Sequence, residues 1–273
     1  MHPFSYEGRR AVVTGAASGV GAALLDVLAE LDVAHVTAID LNPPSGPHDT
    51  FLALDLGNEG AVRDAIGDID GPVHALFNNA GVADTQPPPT VLSVNYLALR
   101  TLSEGVLDRM PEGSAIVNTI STAGALWRKY KAEINELLDR YDTESWAPSL
   151  QWLDEHLDAL EDGTYNFSKG AIQLYTMRTS RPTMRRGVRT NGACPGPIDT
   201  ELLPDFRATA SAKIVDWNIR EMAGRPVSPR EVASVLAFLG SSAASYVNGV
   251  ALEIDGGFSA ARATDQVDYS GRR

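Results

Sequence analysis

Cysteine is nearly absent from the 273-residue chain: Cys194 stands alone, which excludes an intrachain disulfide and fits a reducing compartment. Histidine is sparse too. His2, His35, His48, His74 and His156 are scattered and never at ligand spacing with cysteines or carboxylates, so no metal site is expected. Positive charge is in short supply. With 23 Lys and Arg against 35 Asp and Glu the net charge is -12, which repels nucleic-acid phosphates and anionic membranes, and neither is an expected partner. No apolar run reaches membrane-spanning length, and residues 1–10 lack the apolar segment of a secretory signal. A cytoplasmic location is the expectation. Internal repeats and shifts of composition are missing, which argues for a single domain over 1–273.

Short apolar runs do alternate with segments of helical period, in a composition that is 44% hydrophobic and can fill a large core. Residues 10–14 read as a buried strand, and 19–31 as a helix with Val20, Leu24, Val27, Leu28 and Leu31 on one face. Between them runs Thr14-Gly15-Ala16-Ala17-Ser18-Gly19-Val20-Gly21. Its glycines suit either a plain turn or a loop whose backbone approaches a pyrophosphate at a helix N-terminus. The next strand, 34–39, ends at Asp40, about twenty residues past the glycines, where dinucleotide folds place a ribose-binding acid. Such a carboxylate accepts from the ribose hydroxyls and repels a 2′-phosphate, favouring NAD over NADP. A cap on the loop 42–47 is the plainer use of the same side chain.

Further strands are expected at 51–54 (ending at Asp55), 73–77, 115–120, 188–193 and 250–254, and helices at 62–69, 91–107, 165–181 and 228–239. Ser228, Pro229 and Glu231 form a capping-box start for the last helix. Asn78-Asn79-Ala80-Gly81 is a small-residue turn at a strand end, and Asn95 is a polar residue within an apolar helix. Ser121 ends the 115–120 strand, where it suits a helix cap or a ligand contact. Residues 194–200 form a similar strand-end loop.

Two amphipathic helices are expected within an insertion at about 125–163, from Leu126, Tyr130, Ile134, Leu137, Leu138 and Tyr141, then Leu150, Leu153, Leu157 and Leu160. Residues 143–148 separate them. Segment 202–222, within an expected substrate loop at about 199–226, suits a mobile flap or a rigid surface helix. Residues 263–273 have little to bury. Tyr165 and Lys169 lie four apart on a helix, which puts a phenol beside an ammonium. A neighbouring cation lowers a phenol's pKa and makes it an acid or base for an alcohol or ketone oxygen.

Taken together, the Thr14 to Gly21 loop, Asn78 to Gly81, Asn95, Ser121, Tyr165 with Lys169, and Pro195-Gly196 to Thr200 resemble the short-chain dehydrogenase/reductase family over nearly the whole chain. Val91-Leu92-Ser93-Val94-Asn95-Tyr96, Ala243 to Val247 and the insertion before Tyr165 look like bacterial 3α-hydroxysteroid dehydrogenase/carbonyl reductases, with coniferyl-alcohol dehydrogenases also similar. The resemblance implies a Rossmann-type, doubly wound α/β fold with a parallel sheet and a tetrad of Asn95, Ser121, Tyr165 and Lys169. Tyr165 would exchange the proton, Ser121 would bond the substrate oxygen, Lys169 would lower the phenol pKa and bind the ribose, and Asn95 would hold a water.

An NAD site is implied at Thr14, Gly15, Ser18, Gly19, Val20, Gly21, Asp40, Asp55, Leu56, Asn79, Ala80, Gly81, Tyr165, Lys169, Pro195, Gly196, Ile198 and Thr200. The implied reaction interconverts a small apolar alcohol and ketone; steroid, aryl alcohol and simple ketone stay open. A non-catalytic dinucleotide sensor would keep the glycine loop and Asp40 without needing the tetrad. Many relatives pair through the helices that carry the asparagine and the tyrosine. The insertion is expected to form a hairpin that covers the active-site rim and displaces that pairing, leaving a homodimer joined through the last strand and the 228–239 helix, with a tetramer or a hairpin that only decorates the surface as the alternatives.

Overall fold

The computed structural model describes residues 2–267. The strands are β1 (Arg10–Thr14), β2 (His35–Asp40), β3 (Thr50–Ala53), β4 (Ala75–Asn78), β5 (Ala115–Thr119), β6 (Arg189–Pro195) and β7 (Ala251–Ile254). They form one parallel sheet in the order β3-β2-β1-β4-β5-β6-β7. The helices are α1 (Gly19–Glu30), α2 (Glu59–Asp68), α3 (Pro88–Leu92), α4 (Ala98–Val106), α5 (Lys131–Arg140), α6 (Ala147–His156), α7 (Thr164–Met184), α8 (Leu203–Thr209), α9 (Ala212–Glu221), α10 (Pro229–Gly240) and α11 (Phe258–Ala263). Side chains of a strand alternate between faces, so Val12, Leu76 and Ile116 enter a core shared with α2, α4 and α7, while Val13, Phe77 and Val117 enter one shared with α1 and α10. Strands buried on both faces explain the unbroken apolar runs of the central sheet. Because the order of strand addition reverses between β1 and β4, a crevice opens outside their carboxyl ends. Among the described residues no helix is long and apolar enough to cross a membrane.

Three expected elements differ. The helix expected at 91–107 is broken: α3 leads into a π-helical turn, Ser93–Leu97, and only then into α4. The break centres on Asn95, whose amide bonds both backbone groups of Val82, so a tertiary contact holds the widened turn. Segment 202–222 is neither a loose flap nor one helix, because Ser211 at φ +74 separates α8 from α9. The tail also has something to bury: Val267 packs with Trp217 and Phe258. Residues 268–273 of that expectation lie outside the described residues.

The insertion does form a helical hairpin, α5 and α6, but it lies on α2, α4 and α7 instead of over the rim. Arg100 of α4 donates to the Leu138 carbonyl at 2.8 Å and stacks 3.8 Å over the Tyr141 ring. Trp146 donates through Nε1 to Thr101 at 2.9 Å and through its backbone N–H to Glu59 at 2.9 Å. Trp152 stacks on Phe167 of α7 with centroids 5.4 Å apart. Both tryptophans are fully buried, and rings so placed contribute on the order of 3–5 kcal/mol each. They add to the expected apolar stripes, of which Ile134, Leu137, Leu138, Leu153 and Leu160 are buried and Leu157 is 38% exposed.

Candidate active site

The glycine loop is built for close approach. Gly15 stands at φ +67, and a Cβ there would come 2.8 Å from the Ala80 Cα; one on Gly21 would come 1.8 Å from the Gly15 carbonyl oxygen. Thr14 Oγ1 accepts from the Asn79 and Ala80 amides at 3.0 and 3.1 Å, locking the β1 and β4 ends together. Ser18 caps α1 without a side-chain hydrogen bond, so the first-turn amides stay open to an anion.

A cavity of about 980 Å³ runs from this loop across the strand ends. Its wall takes in Gly15, Ser18, Gly19, Val20, Asp40, Asp55, Leu56, Asn79, Ala80, Gly81, Ser121, Tyr165, Lys169, Pro195, Gly196, Ile198 and Thr200. Thr14, Gly21 and Asn95 are absent from the wall and stand behind it. A glycine cradle, an open helix N-terminus and strand-end carboxylates in one crevice fit a nicotinamide dinucleotide. Asp40 serves the loop as well: its oxygens accept from Ala17 and Asn42 amides at 3.0 and 3.1 Å. Asp55 closes a turn onto Gly57 N–H at 2.8 Å.

At the other end of the cavity, Ser121 caps a short 3-10 segment and lines the wall together with Tyr165, whose phenol it favours in the ionised form. Lys169 is buried and donates to the Thr119 carbonyl at 3.0 Å, with Nζ 5.7 Å from the Tyr165 ring centre. The expectation that Lys169 lowers the phenol pKa is not met in this structure. Burial pushes the phenol up to about 12, opposed by Ser121, and burial pushes the ammonium down to about 8. Desolvation disfavours both charged forms. Asn95 spends its amide on Val82 and, at 3.1 Å, on the Ser168 hydroxyl. Phe206 of α8 packs on the Tyr165 ring with centroids 4.9 Å apart, and Ile214, Val215, Trp217 and Phe258 continue an apolar lid.

A family model described as short chain dehydrogenase matches residues 9–132, and one described as enoyl-(acyl carrier protein) reductase matches residues 157–259. The coniferyl-alcohol dehydrogenase of Pseudomonas sp. (strain HR199 / DSM 7063) is 32% identical over 249 residues, 91% of this chain and 96% of its own length. The chain is a short-chain dehydrogenase/reductase. It is an oxidoreductase of CH-OH donors that uses a nicotinamide cofactor. The cis-4-hydroxycyclohexanecarboxylate dehydrogenase of Sinomonas cyclohexanicum is 30% identical, covering 94% of this chain and 98% of its own. The 3-alpha-hydroxysteroid dehydrogenase of Pseudomonas sp. B-0831, complexed with NADH, superposes with a TM-score of 0.77 at 28% identity, covering 93% of this chain and 98% of its own. A putative NAD(P)-dependent gluconate 5-dehydrogenase from Beutenbergia cavernae, with bound NADP, superposes at 0.71 and 26% identity, covering 94% and 99%. In this short-chain dehydrogenase/reductase the two family matches leave a gap that holds most of α5 and all of α6.

Sequence reasoning passed over Asp84, which lines the cavity and bonds the Tyr165 backbone, and over Phe258 and Arg262, which join Trp217 of segment 202–222 along the cavity. A signal for the first existed: Gly163, at the start of α7, has no side chain to cap it.

Proposed function

We propose that the chain is an NAD-dependent dehydrogenase interconverting a secondary alcohol and a ketone on an apolar, cyclic substrate of hydroxysteroid type, with an aryl alcohol as the second reading. The observation that carries it is the Tyr165 phenol in the wall of one cavity with Ser121, Lys169 and the glycine cradle, its ring packed against Phe206 with centroids 4.9 Å apart. Tyr165 holds or accepts the proton of the substrate oxygen, Ser121 bonds that oxygen as charge develops, and Lys169 supplies the nearby cation. Asn95 acts behind them by fixing Val82 and Ser168. The cofactor supplies hydride chemistry when bound; the protein supplies position and exclusion of water. The lid of Phe206, Ile214, Val215 and Trp217 supports an apolar substrate, and the likeness to a 3-alpha-hydroxysteroid dehydrogenase supports the steroid reading. The coniferyl-alcohol dehydrogenase at 32% identity favours the second. Measuring NAD reduction over hydroxysteroids, aryl alcohols and cyclic alcohols tests both; reduction by none of them overturns the reading.

Asp40 supports NAD as the preferred cofactor. Asp40→Ala is expected to narrow the preference over NADP by roughly tenfold or more, because a carboxylate near a 2′-phosphate costs about 1–3 kcal/mol in a partly desolvated site. A parent enzyme that turns over faster with NADP overturns this.

The same reading makes the protein a cytoplasmic homodimer. The hairpin on α4 and α7 occupies the surface that many relatives use for pairing, while β7 leaves a sheet edge with Leu252 38% and nearby Tyr246 98% exposed. Two-fold pairing through β7 and α10 would cover it. Replacing residues 133–156 by a short loop is expected to turn a dimer into a tetramer by solution mass. A parent protein that is already a tetramer paired through α4 and α7 refutes the blocking role.

A further inference from the structure

Asp84 belongs to none of the motifs that mark the site, yet it meets the backbone of Tyr165. Helix α7 begins after Gly163, which sits at φ +86 and offers no side chain to the first turn. The Tyr165 N–H is bonded instead by Asp84 Oδ1 at 2.8 Å, across 81 residues of chain. The second oxygen faces Gly163 so closely that a Cβ there would stand 2.6 Å from it. Although Asp84 as a residue is exposed at the cavity lip, its carboxylate is applied to the end of α7. The loop that carries it is held from behind. Val82 bonds the Asn95 amide through both its N–H and its carbonyl, at 2.8 and 3.1 Å. Asn95 then donates to Ser168 Oγ at 3.1 Å, and Ser168 donates to the Tyr165 carbonyl at 2.7 Å. Both backbone groups of Tyr165 are thus tied to one short loop.

We propose that Asp84 is a positioning residue for Tyr165: its carboxylate seats the first turn of α7, which carries the phenol. The proposal rests on the reading of Tyr165 as the proton-exchanging group. A carboxylate bonded to a first-turn amide satisfies a donor that the helix leaves open and lies at the favourable end of its dipole. The Asp84 charge adds to burial in raising the phenol, against Ser121, while partial burial raises the Asp84 carboxyl itself against the pull of the Tyr165 amide. Other ionisable groups belong to the elements around the site. Lys169 of α7 stands 5.7 Å from the ring, and Cys194 at the end of β6 is held neutral by a thiol pushed up to about 12. Asp162 of the insertion is bound to Lys129 at 2.6 Å, and Glu201 lines the lid side, where α8 presents the neutral Phe206. Asp84 is the acid among these that acts on the phenol.

Asp84→Asn keeps an acceptor oxygen and removes the charge, whereas Asp84→Ala removes both. Alcohol oxidation needs the phenol deprotonated, so the acidic limb of kcat against pH is expected at lower pH in both variants. The plateau kcat stays within about threefold of the parent in Asp84→Asn and falls roughly tenfold in Asp84→Ala, since small displacements of a reacting group are costly. Rescue by asparagine separates the cap from the charge. A readout independent of turnover is the Tyr165 backbone amide by NMR: in the parent its signal follows acid titration of Asp84, and in Asp84→Asn it does not. An Asp84→Ala plateau kcat equal to the parent's overturns the positioning role, and an amide signal indifferent to acid in the parent overturns the contact. If the parent oxidises no alcohol, the functional reading fails, and the amide titration alone then decides for or against Asp84.

Discussion

Tyr165→Phe is expected to lower turnover by a factor of about a hundred to ten thousand, the usual contribution of a general acid or base, while NAD binding stays within about twofold of the parent. The substitution removes one oxygen and keeps the ring, whose contact with Phe206 does not need the hydroxyl. The phenol lines the cavity together with Ser121, so the variant loses the proton donor for a ketone oxygen and the acceptor for an alcohol proton together. The glycine loop and Asp40, the proposed cofactor cradle, line the same cavity and are untouched by the substitution. Initial rates in both directions, with cofactor affinity by fluorescence titration, check the split. Activity within threefold of the parent would move proton transfer to another group.

Lys169→Met is expected to abolish turnover and yet raise the melting temperature of the cofactor-free protein at pH 7. The ammonium is buried, makes one hydrogen bond to the Thr119 carbonyl, and has no carboxylate ion-pair partner among the described residues. Burial therefore pulls its pKa down to about 8 from the unfolded value of 10.5. Between those two values the unfolded chain binds more protons than the folded one, so stability rises with pH across the window and the cost is fully present below it. At neutral pH that cost is about 3 kcal/mol. Methionine removes it and gives back up to ~1 kcal/mol for the carbonyl left without its donor. The net gain is about 2 kcal/mol at pH 7, shrinking as pH approaches 10. Thermal unfolding at pH 7 and pH 10 reads it directly; a lower melting temperature at pH 7, or a difference that does not change with pH, counts against the account.

Both predictions turn on the same residues that the chain's local periodicity exposes. A phenol and an ammonium four apart on one helix must share a face, because the helix repeat leaves no other arrangement. Glycines between a buried strand and a helix must make a tight turn, and a carboxylate at the end of the next strand must reach the same crevice when the strands are parallel neighbours. The Ser228 and Glu231 capping box was readable for the same reason, since its partners are three residues apart. Each of these relations is completed within one element or between strands adjacent in the sheet, where chain geometry leaves little freedom.

Other features were decided only by segments brought together from far along the chain. The cap on Tyr165 comes from Asp84, and the break in the Asn95 helix answers to Val82 and Ser168. Tertiary packing also set where the hairpin lies: its period announced two apolar faces but not that α2, α4 and α7 would receive them, nor that Trp146 and Trp152 would add to them. Ionisation followed the same rule. Spacing placed a cation beside a phenol, but the sign of each shift depends on how much water surrounding elements exclude, and burial drives the phenol up and the ammonium down. Local sequence determines which groups can share a face; desolvation, a sum over neighbours distant in the chain, determines what charge those groups carry.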